Sequence, residues 1–547
     1  MEAQKDKIQN SFLKQGGILA AASILVRFIG LLYRIPMANI IGDEGNGIYS
    51  AAYEIYNILL IISCYGLPMA VSKMVSSRYA MGNYKGAGRI FRCTMLVGML
   101  TGGAAACFVF FGADWLERNF YAGYTGIAIP LRILAPTIFV VAVAGVLRGF
   151  FQGYGNMLPT AVSQIIEQLV NAFVSVFAAY LLIQAFADSM RRPAWGAAGG
   201  TLGTCLGALS ALFVLICVYM KYRPGRKRQE KSGIDRATDT LRGTYHLIVV
   251  TAVPIILSQT VYQLSGIVDV TVFNNVMGEL GVSPQAISVA QGIYSTKYRL
   301  LVSVPIAIST AMVSSMIPSL VVSFQNKKLQ MVREQTSLTI KFNMIVAFPC
   351  TAGLMALGQP VIRMLFPGSD YVTGGWMMLL GSVCIIFYAL STVTSGVLQS
   401  IERTVVPVIH SLVSLGIHIL LIVVLLMRTN LGVYALVIGN VTFPLAVCVM
   451  NHMSLRKHLE YREDWKTAFL VPGAASVLIG VLAWAVYYGL NTLLGYHIPS
   501  TLIAIVAAIF AYFVLVLKMK GLNRQELESF PFGGKMIRLA EKMHLLS

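Results

Sequence analysis

Fourteen apolar runs, each of twenty residues or more, follow one another along the chain with short polar breaks between them. They lie near 16–41, 46–72, 90–113, 125–149, 157–184, 195–220, 244–276, 285–321, 340–359, 371–398, 404–428, 431–452, 467–491 and 498–518. A hydrocarbon core of about 30 Å takes about 20 apolar residues per helix. A chain crossing it must satisfy its own backbone hydrogen bonds, which makes those crossings helices. The pattern therefore predicts an all-α membrane protein with about 14 transmembrane helices. The run at 285–321 is too long for one upright span and is expected to tilt, kink at Pro305 or extend past the bilayer. The first run is too long for a signal-peptide core and contains Arg27 and Arg34, so it is expected to remain in the mature protein.

Charge follows the same grammar. Only 12% of the 547 residues are charged, about half the share in a soluble chain. Yet Lys and Arg number 42 against 23 Asp and Glu, a net +19. The excess is sorted by position. The N-terminal tail, the even-numbered connections and the C-terminal tail hold 32 basic residues, eight of them between Lys221 and Arg242, while the odd-numbered connections hold five. Basic residues mark the cytoplasmic side, so both termini are expected there, in a multi-pass protein of a bacterial cytoplasmic membrane. Topology and attraction to anionic lipid account for the +19, and no nucleic-acid partner is expected. The eight cysteines occur singly with no CxxC, which argues against a disulfide scaffold or a Cys-based metal site.

The chain repeats itself. Gly47-Ile48-Tyr49-Ser50-Ala51-Ala52-Tyr53 returns as Gly292-Ile293-Tyr294-Ser295-Thr296-Lys297-Tyr298, 245 residues later. Gly149 and Gln152 return as Gly396 and Gln399, and Gly196 and Gly203 as Gly432 and Gly439. Each pair joins span n to span n+6. Because six is even, the halves keep one orientation, the parallel-repeat arrangement that supports two lobes rocking about a central site. The expected organisation is an N-lobe at 1–221, a basic cytoplasmic linker at 222–243, a C-lobe at 244–453, spans thirteen and fourteen within 454–520, and a cytoplasmic tail at 521–547.

Charges inside spans are costly and mark partners or pathways. The candidates are Arg27, Arg34, Glu54, Arg132, Glu167, Asp269, Lys297 and Arg299. Arg27 and Arg34 are two helical turns apart on one face, with no acid in their span. Guanidinium groups bind phosphate in bidentate fashion and do not deprotonate, so the pair suits an anion; the alternatives are pairing with Glu54 and Asp269, or snorkelling by Arg34. Lys297 and Arg299 point about 200° apart, so at most one lines a cavity well. Gln164, Glu167 and Asn171 form a polar stripe on span five, either interhelical glue or a cavity lining. Tyr49, Tyr53 and Tyr56 share a face and read as a packed aromatic seam. Five positive against three negative groups inside spans fit a dianion such as a diphosphate.

No HExxH, GxxxxGK[ST] or GxSxG occurs, and the outer connections are too short for a catalytic domain. An enzyme is not expected, nor is any cofactor beyond a coupling cation, H+ or Na+.

The stretches Gly47–Asn57 (GIYSAAYEIYN) and Leu147–Gln168 (LRGFFQGYGNMLPTAVSQIIEQ) resemble the MOP flippase superfamily, specifically its polysaccharide-biosynthesis, stage V sporulation protein B-like branch, related to the lipid II flippases. The resemblance implies a V-shaped pair of lobes around a cavity open to each side in turn. It implies an undecaprenyl-diphosphate-linked saccharide or peptidoglycan precursor as substrate. It also implies arginines of span one and a basic residue of span eight lining the cavity, which Arg27, Arg34, Lys297 and Arg299 match by span and character. Spans thirteen and fourteen would form a groove for the lipid tail. The expected partners are that lipid-linked substrate and membrane lipids, with the protein a monomer working beside cell-wall synthesis proteins. The rival within transport is a cation-coupled multidrug exporter of the MATE branch. That branch relies on acids in its lobes; Glu54, Glu167 and Asp269 are present here, but span one carries arginines instead.

Overall fold

The computed structural model describes residues 2–61, 67–120, 126–232, 241–461 and 464–522, and six residues of the tail (524, 526, 537, 538, 541 and 542). Among these residues there is no strand. Sixteen α-helices follow in order: α1 Glu2–Leu60, α2 Leu67–Ala80, α3 Tyr84–Phe120, α4 Ala128–Gly153, α5 Leu158–Ala185, α6 Arg192–Ser232, α7 Leu241–Glu279, α8 Pro284–Ile293, α9 Arg299–Gln325, α10 Leu329–Leu365, α11 Tyr371–Gly381, α12 Cys384–Ser400, α13 Val405–Arg428, α14 Tyr434–Leu459, α15 Val471–Leu494 and α16 His497–Lys518. Among the described residues, ten helices are long and apolar enough to cross a membrane, or eleven when the bent pair α11 and α12 counts as one span.

Two of the apolar runs meet local breaks. The first two runs share α1, which breaks at Gly42. Its φ of 74° lies where only glycine is comfortable. The Asn46 side chain covers the break by donating to the carbonyls of Ala38 (2.8 Å) and Gly42 (2.6 Å). The seventh run lies on α7. The eighth breaks at a π-helical turn, Tyr294–Tyr298, between α8 and α9; α9 continues unbroken through Pro305, so the interruption is not at the proline.

The chain forms two compact units, Met1–Gly292 and Ile293–Ser547. In lipid, leucine against leucine gains little over leucine against an acyl chain, so close backbone approach at small residues decides which helices pair. In the first unit two runs of three glycines do this. Gly199, Gly203 and Gly207 of α6 run along α5, where an added Cβ would strike Ala179, Ser175 and the Glu167 carbonyl respectively. Gly145, Gly149 and Gly153 of α4 run along α2, against Pro68 and Val75. The N-terminus of α4 is closed by Glu117, whose carboxylate accepts from the N–H groups of Gly126 (3.1 Å) and Ala128 (2.6 Å). Helix α8 seats on α1, where Ser288 donates to the Glu44 carbonyl at 2.7 Å.

In the second unit Gly439 of α14, the repeat partner of Gly203, meets Ile422 and His418 of α13, and His418 Nδ1 lies 3.0 Å from the Gly439 carbonyl. Part of the tail folds back on this unit. Ile537 is buried with Ile345, Ala475 and Val516, and Glu526 accepts from Lys341 at 2.7 Å.

Packing at the α5–α6 seam is testable by one methyl group. Gly203→Ala is expected to lower the melting temperature in detergent, by an overpacking cost of about 1–3 kcal/mol. Gly112→Ala on α3, where nothing lies within 4 Å of the added carbon, should leave it unchanged or raise it slightly.

Candidate functional site

The repeated GIYSxxY motif organises each unit in the same way. In the first, the rings of Tyr49 and Tyr53 lie 4.7 Å apart and Tyr53 meets Tyr56 at 5.6 Å, the expected aromatic seam. Tyr53 is hydrogen-bonded to Thr204 of α6. In the second, Tyr294 and Tyr298 stack at 5.5 Å, and Asn440 of α14 donates to the Tyr294 hydroxyl at 3.2 Å. Thr204 and Asn440 are separated by 236 residues, the offset that relates Gly203 to Gly439. The ring pair of the motif thus recurs, while the polar contact shifts from its second tyrosine, Tyr53, to its first, Tyr294.

Arg34 is built into the first of these seams. It is exposed on α1, and its electrostatic neighbours are the hydroxyls of Tyr33, Tyr49 and Tyr53, with a hydrogen bond to Tyr33. Tyr33 accepts from Asn171 of α5 at 3.4 Å, and Asn171 accepts from Ser175 at 2.8 Å. Spans one, two, five and six therefore meet around one guanidinium. Arg27 is exposed two turns earlier. Among the described residues neither arginine forms an ion pair with a carboxylate, so the expected alternative of pairing with Glu54 or Asp269 is not observed there.

The remaining candidates have other surroundings. Glu167 is taken by Arg148 of α4, at 2.6 Å, and the same guanidinium donates to Ser163 at 3.0 Å. Asn171, on the same polar stripe of span five, is tied to α1 through Tyr33. Arg132 pairs with Asp114 of α3 at 2.5 Å, near the start of α4, so it is not a lone charge deep in a span. Glu54 is half-buried on α1 and Asp269 is buried on α7.

In the second unit Lys297 is 1% exposed. Its ammonium lies 5.8 Å from the centre of the Phe366 ring, with Asp370 as an electrostatic partner. Arg299 is half-buried. Asp370 precedes α11 and caps it, accepting from the N–H groups of Val372 and Thr373 and from the Thr373 hydroxyl. Burial pushes its carboxyl up, but the Thr373 and Val372 donors and the Lys297 ammonium outweigh that and hold it below the usual carboxylate range.

Sequence reasoning missed Arg148, Tyr33 and Asp370. Arg148 stands in the stretch that carries the family resemblance, five residues before the end of α4, but its partner is on the next helix and periodicity does not reveal which faces meet. Among the described residues no group of three or more His, Cys, Asp or Glu could hold a metal ion.

The polysaccharide biosynthesis protein family model matches residues 12–324, more than half of the chain. The chain belongs to that family. Among its relatives, "Lipid II flippase MurJ" of Bacillus subtilis (strain 168) is 25% identical over 520 residues, covering 92% of this chain and 93% of the relative. "Stage V sporulation protein B" of the same organism is 24% identical over 531 residues, covering 97% and 99%. A solved lipid II flippase MurJ in an inward closed conformation superposes with a TM-score of 0.68 at 16% identity, over 91% of this chain and 97% of that one. The family member described here is thus a multi-pass membrane transporter and not a catalyst, with a fold shared along nearly its whole length.

The Arg148–Glu167 pair gives a measurable coupling. Both side chains are largely out of contact with water, so removing one partner strands the other. Arg148→Met alone is expected to cost about 1–3 kcal/mol of stability. The double variant with Glu167→Met should recover part of that loss in detergent melting curves.

Proposed function

We propose that this protein is a flippase that moves an undecaprenyl-diphosphate-linked saccharide or lipid II-like peptidoglycan precursor across the bacterial cytoplasmic membrane by alternating access. The observation that carries the reading is the guanidinium pair of α1, held in a segment long and apolar enough to lie in lipid and without a carboxylate partner among the described residues. A charge at mid-bilayer costs about 2.5–3.5 kcal/mol on insertion scales, so an unpaired arginine pair there is kept for an anion that arrives. A diphosphate offers two groups of acceptor oxygens, and Arg27 and Arg34 stand two turns apart, about 10 Å by helix rise. The tyrosine hydroxyls around Arg34 supply further donors to the same headgroup.

In this mechanism the halves 1–221 and 244–453 act as the two rocking lobes. The ring pairs Tyr49–Tyr53 and Tyr294–Tyr298, one in each half, support that division. The diphosphate binds Arg27 and Arg34 with a basic residue of span eight, Lys297 or Arg299, and its charge relieves the repulsion that keeps the lobes apart. The headgroup leaves outward while the polyprenyl tail stays in lipid. With both termini cytoplasmic, as the sorting of basic residues favours, an inside-negative potential assists net outward movement of negative charge by about 2.3 kcal/mol per charge per 100 mV; a coupling H+ or Na+ would add to it. The relatives that are a lipid II flippase and a sporulation protein support the substrate class.

Arg27→Ala and Arg34→Ala are each expected to reduce complementation of a strain depleted of its lipid II flippase by about tenfold or more, the scale of one lost charge-assisted contact. Membrane levels and melting temperature should be unchanged, with Lys restoring part of the loss. Full complementation by the double Ala variant would refute the role. Ethidium efflux dependent on Glu54 or Asp269 would instead identify a drug exporter.

A further inference from the structure

A second basic and aromatic cluster stands at one end of the second unit, where α10 and α15 finish and α11 and α16 begin. Arg363, in the last turn of α10, is exposed, and its guanidinium lies over the ring of Tyr371 at 5.4 Å from the centre. Tyr487 of α15 and His497 of α16 are within its electrostatic range. The Tyr487 hydroxyl and His497 Nδ1 are 3.1 Å apart. The other ring nitrogen of His497, Nε2, is buried with no hydrogen-bond partner among the described residues. Tyr488 packs on Tyr487 at 5.0 Å and on Trp484 at 5.1 Å.

Two properties set this cluster apart from ordinary helix-end decoration. The C-terminal dipole of α10 explains why a cation is favourable there, but not why its donors are left unused. Among the described residues no carboxylate pairs with Arg363. The neighbouring acid Asp370 is already committed to the α11 cap and to Lys297. The cluster also sits in a ring of exposed aromatics, Trp484, Tyr488 and Tyr496. Trp and Tyr gather at the membrane–water boundary, which is the depth of lipid phosphates. A guanidinium held flat on a tyrosine ring keeps its edge free, and that edge matches two phosphate oxygens.

We propose that Arg363, seated on Tyr371 with Tyr487 and His497 beside it, forms a binding site for the phosphate of a lipid headgroup at the membrane–water boundary. The ring fixes the plane of the guanidinium, and the guanidinium takes two phosphate oxygens. The site lies wholly within the second unit, and it depends neither on the transported substrate nor on which side of the membrane this end faces.

The test is native mass spectrometry of the purified, delipidated full-length protein, titrated separately with phosphatidylglycerol and with diacylglycerol of the same tails. The first phosphatidylglycerol is expected to bind well ahead of diacylglycerol. Arg363→Gln should weaken it about tenfold and Arg363→Lys by less, at unchanged melting temperature. Tyr371→Leu should give a smaller loss, because the charge remains and only its orientation is lost. Inorganic phosphate at millimolar concentration should not displace the lipid; displacement would support the same phosphate chemistry with the free ion as occupant. Equal binding of phosphatidylglycerol and diacylglycerol, or full binding by folded Arg363→Gln protein, would overturn the proposal.

Discussion

An ionised side chain in hydrocarbon is stable only with a partner, and the charges of this protein sort by that single requirement. Arg148 has Glu167 and Arg132 has Asp114. Each of these pairs joins two segments of the chain, so the charge fixes packing. Arg27 and Arg34 are different. They share one face of α1 with no carboxylate partner among the described residues, and the groups around Arg34 are neutral tyrosines. Neutral donors leave the positive charge available to a ligand, as a carboxylate would not.

The helices around that charge are positioned by small residues and hydroxyls rather than by bulk hydrophobicity. Three glycines of α6 admit α5 closely enough that the Ser175 hydroxyl oxygen lies 2.9 Å from the Gly200 carbonyl, and Asn171, one turn earlier, reaches back to Tyr33 beside Arg34. Three glycines of α4 do the same for α2. The second unit uses Gly439, His418 and Asn440 at the corresponding places. Two copies of one packing scheme, carrying different charges, are what a duplicated transporter needs if one half is to hold an anion and both are to move as bodies.

Much of this is legible in the sequence. Apolar run length gives the helices, the spacing of Tyr49 and Tyr53 gives the ring seam, and the offsets between glycines give the repeat. What the chain does not display is rotation about each helix axis. For that reason Glu167 reads as a ligand candidate although Arg148 holds it, and Arg132 reads as an intramembrane charge although Asp114 reaches it. The breaks were also hidden: Gly42 sits between two apolar runs without a proline to announce it, and the π turn at Tyr294–Tyr298 falls inside the repeated motif while the conspicuous Pro305 is accommodated. The arginines of α1 were visible because nothing about a lipid-facing helix favours them.

The most direct measurement is transport by the protein alone. Purified protein in sealed proteoliposomes would be given a defined undecaprenyl-diphosphate-linked sugar, and its appearance in the opposite leaflet followed with and without an imposed membrane potential. The account predicts protein-dependent translocation that is faster under a potential drawing negative charge toward the receiving side and lost when Arg27 and Arg34 are both alanine. Equal translocation by the double-alanine protein, or none above empty vesicles by the wild type, would contradict it.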